Sequence, residues 1–281
     1  MKNFMRLSLC VIIGLAGCLS MSAAIFNFGG VRTTIYSFSN KNFEGSEQEV
    51  RPMGTITAIN NSGPLNVLYV EGDKNEVVVR GDKELFNRVQ TQWKEGVVNI
   101  SLEPGTYRNV WLQVVVYAKS LNSIRSTGSG NIKAERITSD APELGLKVTG
   151  SGTISVDKIN SSRDVDLHIS GSGDISIQEI TCKDLDLDVT GSGDIRVAEV
   201  KYTDMDADVR GSGGIKLSNV DGQTADINIA GSGTIKLESG TINFVKARIA
   251  GSGCIIGNIN HKSLEQKTAG SGYIKLNNSP E

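Results

Sequence analysis

One short motif, Gly-Ser-Gly-x-Ile, constrains this chain more than anything else in it. Copies begin at Gly128, Gly150, Gly171, Gly191, Gly211, Gly231, Gly251 and Gly270, at steps of nineteen to twenty-two residues. A repeat of this length at a nearly fixed period marks a stacked architecture, because one unit is too small to bury a core alone. The residue four places after the first glycine is isoleucine in all eight copies: Ile132, Ile154, Ile175, Ile195, Ile215, Ile235, Ile255 and Ile274. Positions six places after are also mostly apolar, as at Val156, Ile177, Val197 and Leu217. Ahead of Gly191 the apolar residues are Leu185, Leu187 and Val189. Alternation at period two is the pattern of half-buried strands.

Equal columns at a fixed step require strands stacked in parallel register. The expected fold class is therefore all-β: a right-handed parallel β-helix, or β-solenoid, with rungs of about 20 residues. Each rung reads as a strand, a Gly-Ser-Gly corner, a second strand and a looser return. The corner glycines supply backbone conformations that a Cβ would forbid. The serines, Ser151, Ser172, Ser192, Ser212, Ser232 and Ser252, are expected to form a hydrogen-bonded ladder along the axis. They are poor candidates for nucleophiles, since the motif is not the GxSxG elbow and the chain has 2 histidines. The last rung reads as a cap, because two of its inward positions, Leu264, Gln266 and Thr268, are polar.

The N-terminus has the pattern of an export signal over residues 1–23. Lys2 and Arg6 precede an apolar run, Leu7–Gly17, that is too short to span a bilayer. Leu15-Ala16-Gly17-Cys18 fits a lipobox, which would make Cys18 the lipid attachment site. Ser22-Ala23-Ala24 fits an ordinary small-residue cleavage site, and both readings stand. Residues 24–52 form a lead-in with a first strand over Thr33–Phe38. Residues 53–120 form an N-terminal β part, continuous with the β-helix over 121–281. Its strands are Thr55–Ile59, Leu65–Val70, Glu76–Arg80, Val97–Leu102 and Val110–Tyr117, with a short helix capped by Asp82.

The net charge of −2 gives no reason to expect nucleic acid, and glycine does not recur every third residue as in collagen. Cys182 and Cys254 occupy different positions in non-adjacent repeats and read as isolated thiols. No Cys/His cluster points to structural zinc, and no cofactor is expected.

The outward columns carry the charge. Asp166, Asp186, Asp206 and Asp226 form one, Asp164, Asp184 and Asp204 a second, and His168, Asp188 and Asp208 a third. The centre of this face, Asp184, Asp186, Asp188, Asp204, Asp206 and Asp208, is the candidate ligand or cation face. Calcium, which prefers hard oxygen donors, would bind it weakly. The competing reading is a solvated face that keeps the sheet unpaired. Arg196, Lys216, Lys236 and Lys275 lie on the other layer, so faces of opposite sign are expected. His168 and His261 read as surface residues. Trp111 reads as core, with Trp93 or Trp111 the alternative as a sugar-stacking platform. Paired carboxylates for glycoside hydrolysis cannot be told from the regular aspartate ladder, so no catalytic residue is assigned.

The stretch EVVVRGDKELFNRV, then LNSIRSTGSGNI and the serial GSGDI repeats, resemble the head GIN family of autotransporter adhesins, a domain family of unknown function common in Bacteroidetes. The resemblance covers roughly residues 55–281. It implies a right-handed parallel β-helix, the passenger part alone without a β-barrel translocator, and an adhesin role with no assigned site residues. The expected function is a non-enzymatic binding module of the cell envelope, at the outer membrane or cell surface. It would contact glycan or protein through an extended face and the membrane only through a lipid anchor. A self-assembling envelope protein is the alternative, a carbohydrate-active enzyme the third reading, and the periplasm the alternative location.

Overall fold

The computed structural model describes residues 42–278, together with the backbone of two short strands, β1 (Ala24–Phe28) and β2 (Val31–Ile35). These two pair antiparallel. The expected strand Thr33–Phe38 overlaps β2, and its remainder lies outside the described residues. The N-terminal part continues with β3 (Glu47–Pro52), β4 (Ala58–Asn61), β5 (Asn66–Glu71) and β6 (Glu76–Gly81). After a 3₁₀ turn over Lys83–Arg88 come β7 (Val89–Lys94), β8 (Val97–Leu102), β9 (Thr106–Tyr107) and β10 (Leu112–Ala118).

Asp82 does not cap the turn as expected. Its carboxylate accepts instead from the Trp111 N–H at 3.2 Å, and its own N–H donates to the Trp111 carbonyl at 2.8 Å. The aspartate thus ties the turn to the entry of β10, and Phe86 is buried within the turn.

The solenoid proper runs through β11 (Ser123–Ser126), β12 (Ile132–Ser139), β13 (Glu143–Gly150), β14 (Thr153–Ser161), β15 (Asp164–Gly171) and β16 (Asp174–Thr181). It continues through β17 (Asp184–Gly191), β18 (Asp194–Lys201), β19 (Asp204–Gly211), β20 (Gly214–Gly231), β21 (Thr234–Gly251), β22 (Cys254–Asn258), β23 (Ser263–Gly270) and β24 (Tyr273–Asn277). Strands one rung apart pair in parallel, with Gly171 on Gly191 and Ile175 on Ile195; β20 and β21, each a whole rung long, pair directly with one another. The result is a β-solenoid of about eight turns.

One apolar core runs from Ile56 to Leu276. The isoleucine column from Ile132 to Ile255 is at most 1% exposed, which puts the repeat's invariant side chain on the axis. The return is more regular than the sequence indicated. In β20 the buried positions are 215 and 217, then 220 and 222, then 225, 227 and 229. Alternation at period two slips by one residue at two places, so the chain turns two corners without leaving the strand. Together with the Gly-Ser-Gly corner this gives the rung three sides. The middle side carries a second inward column, Cys182, Tyr202, Gly222 and Ile242, that the sequence reading missed. Tyr202 and Gly222 are complementary in size, since a Cβ at Gly222 would run into the Tyr202 ring. The Tyr202 hydroxyl is buried and has no hydrogen-bond partner among the described residues.

The corner shows why glycine is needed. Gly171 has φ +134°, and a Cβ there would stand 2.6 Å from the Gly150 carbonyl oxygen. That oxygen accepts from both the Ser172 and the Gly173 N–H at 2.9 Å. The ladder along the axis is therefore made of backbone amides. The serine side chains, expected to form it, are exposed at the corners.

The two ends differ. At the N-terminal end the parallel columns finish in antiparallel pairs, β7 on β8 and β3 on β6. At the C-terminal end β23 pairs only with β21, and β24 only with β22, among the described residues.

Candidate binding face

The side ahead of the Gly-Ser-Gly corner is a parallel sheet of β13, β15, β17, β19, the second halves of β20 and β21, and β23. Register stacks its outward residues into columns. One holds Asp164, Asp184, Asp204, Thr224, Phe244 and Ser263. The next holds Asp166, Asp186, Asp206, Asp226, Lys246 and Glu265, and the third His168, Asp188, Asp208, Asn228, Arg248 and Lys267. All six aspartates singled out from the sequence lie here, in register.

The electrostatics are less one-sided than the aspartates alone suggest. Arg210 reaches Asp188 at 2.7 Å and Asp208 at 2.6 Å, and Arg248 reaches Asp226 at 2.7 Å. His168 lies 3.8 Å from Asp188, and Lys183 holds one oxygen of Asp184 at 3.0 Å. The other oxygen of Asp184 is buried without a hydrogen-bond partner among the described residues. The Asp204 carboxylate accepts from the Thr224 hydroxyl.

In the middle column no ion pair reaches Asp166, Asp186 or Asp206 among the described residues, and Asp226 is met by Arg248 of the third column. Burial raises the Asp186 carboxyl above its ordinary range, with Asp206 and Asp166 adding to the effect. Burial, then Glu143, does the same to Asp166, and burial, then Asp226, to Asp206. Like charges one strand apart disfavour ionisation in this way. Among the described residues no group of three or more His, Cys, Asp or Glu side chains is arranged to hold a metal ion.

Toward the C-terminus the face changes character. Phe244 is 54% exposed and stands in the aspartate column. A shallow depression of about 360 Å³ lies over Asp204, Asp206, Asp226, Phe244, Lys246 and Glu265. Sequence reasoning missed Phe244, Lys246, Arg210 and Arg248. Two were within reach: Lys246 and Arg248 keep the five-back and three-back offsets from Gly251 that the aspartates keep from earlier corners.

The opposite layer is not a uniformly basic face, contrary to expectation. Arg196 lies 3.5 Å from Asp174 and is hydrogen-bonded to Asp194. Lys216 and Lys236 share Glu238 at 3.1 and 2.7 Å, and those two hydrogen bonds hold its carboxyl down at about 2. Arg196, Lys216 and Lys236 are thus neutralised by acids on the same and neighbouring rungs, while Lys275 forms no ion pair among the described residues.

The remaining candidates are placed singly. Trp111 stacks on Phe43 with ring centroids 5.5 Å apart and is only partly buried. Trp93 is 43% exposed, donates to the Thr55 carbonyl at 3.1 Å and covers Gly54. His261 contacts the Ile259 carbonyl at 3.1 Å. Cys182 and Cys254 are free thiols, and burial pushes Cys182 up to about 12. Cys18 lies outside the described residues.

Residues 56–237 match the family described as "Putative auto-transporter adhesin, head GIN domain". The chain belongs to this family. The head GIN match takes in β4 through most of the solenoid, and similarity of fold extends further. A "putative lipid binding protein" from Parabacteroides distasonis is 22% identical, with TM-score 0.74 over 85% of this chain and 98% of the other. A "putative adhesin" from Parabacteroides merdae is 18% identical, with TM-score 0.70 over 85% and 98%. One from Bacteroides fragilis is 17% identical, with TM-score 0.65 over 85% and 99%. No curated protein matches the chain.

Proposed function

We propose that this head GIN protein is a non-enzymatic, exported β-solenoid of the bacterial envelope that contacts glycan or protein through its extended face. The observation that carries this reading is the in-register sheet from β13 to β23, which presents carboxylates, the exposed Phe244 ring and the cations Lys246 and Lys267 together. Such a surface suits a ligand extended along several rungs, with hydroxyl or amide groups hydrogen-bonding to the carboxylates and an apolar patch against the ring. The adhesin description of the family and of several fold neighbours supports the same reading. Attachment to the membrane would be through Cys18. A weak calcium contact at the aspartates belongs to the proposal as well.

The test is binding of the purified chain to immobilised glycans and extracellular-matrix proteins. Binding to at least one class, lost in Phe244→Ser and retained in Ser155→Lys on the opposite layer, is the expected result. Binding that no substitution on the face alters would overturn the assignment of the face.

A further inference from the structure

The C-terminal rung ends in open strand edges. Every residue of β23 except the half-buried Leu264 is exposed, and β23 is bonded on one side only among the described residues. Half of its backbone N–H and C=O groups therefore point off the end of the solenoid, where they can template another strand. The N-terminal end differs, since its outermost strands, β3 and β7, pair antiparallel with their neighbours.

The sequence of this edge is self-complementary. Its outward residues are Ser263, Glu265, Lys267 and Ala269, and its inward residues are Leu264, Gln266 and Thr268. Neither Glu265 nor Lys267 forms an ion pair among the described residues. Consider a second copy of β23 laid antiparallel about a two-fold axis through Gln266. Glu265 then faces Lys267 of the other copy, and Lys267 faces its Glu265. Gln266 meets its own counterpart across the axis, where two side-chain amides can hydrogen-bond. Leu264 meets Thr268, so inward positions stay inward. Centring the axis on Glu265 or Lys267 would set like charges opposite one another, and centring it on Leu264 or Thr268 would leave both charges without an opposite partner in the strand. Antiparallel cross-strand pairs of opposite charge are favourable and like pairs unfavourable, so the residues select one register.

We infer that the chain forms a tail-to-tail, two-fold dimer by antiparallel pairing of β23 with β23 of a second copy, in the register centred on Gln266. An isologous contact of this kind closes on itself and produces a dimer, not a filament. The dimer doubles the length of the solenoid and places both N-terminal ends at its far poles. This inference is independent of what the face binds, and its test uses no ligand.

Sedimentation velocity of the full chain over a range of micromolar concentrations is expected to show a reversible dimer. Lys267→Glu and Glu265→Lys, each alone, set like charges opposite one another at both pairs and should weaken the dimer about tenfold or more. The chain carrying both substitutions restores opposite charges and should dimerise like the parent, which also shows that the substitutions leave the fold intact. An equimolar mixture of the two single variants should form heterodimers. Gln266→Cys brings two thiols together across the axis at a Cα separation of about 4.5–5.5 Å, within disulfide range. It should give a covalent dimer on oxidation faster than the parent does. A chain monomeric at all concentrations, single variants that associate as well as the parent, or no added cross-linking from Gln266→Cys would each overturn the inference.

Discussion

Replacing Gly171 by alanine tests the physical reason for the repeat most sharply. Its φ of +134° is one that residues with a Cβ rarely adopt, and holding alanine there costs about 1–3 kcal/mol. The new methyl would also stand 2.6 Å from the Gly150 carbonyl oxygen. Displacing that oxygen weakens the bonds from Ser172 and Gly173, both at 2.9 Å. Two hydrogen bonds at about 0.5–1.5 kcal/mol each bring the expected loss to about 2–6 kcal/mol. Chemical denaturation followed by circular dichroism measures it directly. Ser172→Ala is the matched control: its side chain is exposed, so the change should stay within about 0.5 kcal/mol. If Gly171→Ala unfolds at the same denaturant concentration as Ser172→Ala, the corner does not depend on glycine and the reasoning is wrong.

Two further outcomes follow from buried and crowded polar groups. The folded-state pKa of Asp166, Asp186 and Asp206 lies above the ordinary 3.8, so their contribution to stability is fully present below that value and is lost as pH rises through the raised ones. Asp186→Asn should thus stabilise the protein at neutral pH, by about 0.2–1 kcal/mol from relief of the like-charge pairs, and flatten the rise in melting temperature on acidification toward pH 4; a destabilised variant would contradict this. Glu238 acts in the opposite sense, since its stabilising contribution is lost as pH falls through about 2. Tyr202→Phe removes a buried hydroxyl that has no partner and should raise stability by about 1 kcal/mol; a loss of that size in denaturant melts would mean the hydroxyl is satisfied.

The isoleucine columns were legible in the sequence because they depend on two one-dimensional periods, two along a strand and about twenty between rungs. Parallel register follows directly from them. The third side of the rung was less legible. Its inward column is Cys182, Tyr202, Gly222 and Ile242, and no common residue type marks it. Only the slip from Ile177 to Ile180 reveals the corner, and periodicity alone does not interpret a slip. On the face, the aspartate columns were legible for the same reason as the core. Their neutralisation was not, because Arg210 reaches back 22 residues to Asp188, and such reach depends on side-chain geometry. The Asp82 cap failed similarly, since the carboxylate found a partner in Trp111, distant in sequence.

An adhesin's solenoid must stand where an external ligand can meet its face. Protease treatment of intact native cells, probed with an antibody to the repeats, tests this directly when run beside palmitate labelling with and without Cys18→Ala. Digestion in intact cells, with label lost in the variant, is the predicted result. Protection in intact cells followed by digestion once the outer membrane is permeabilised would place the protein in the periplasm and contradict the adhesin reading.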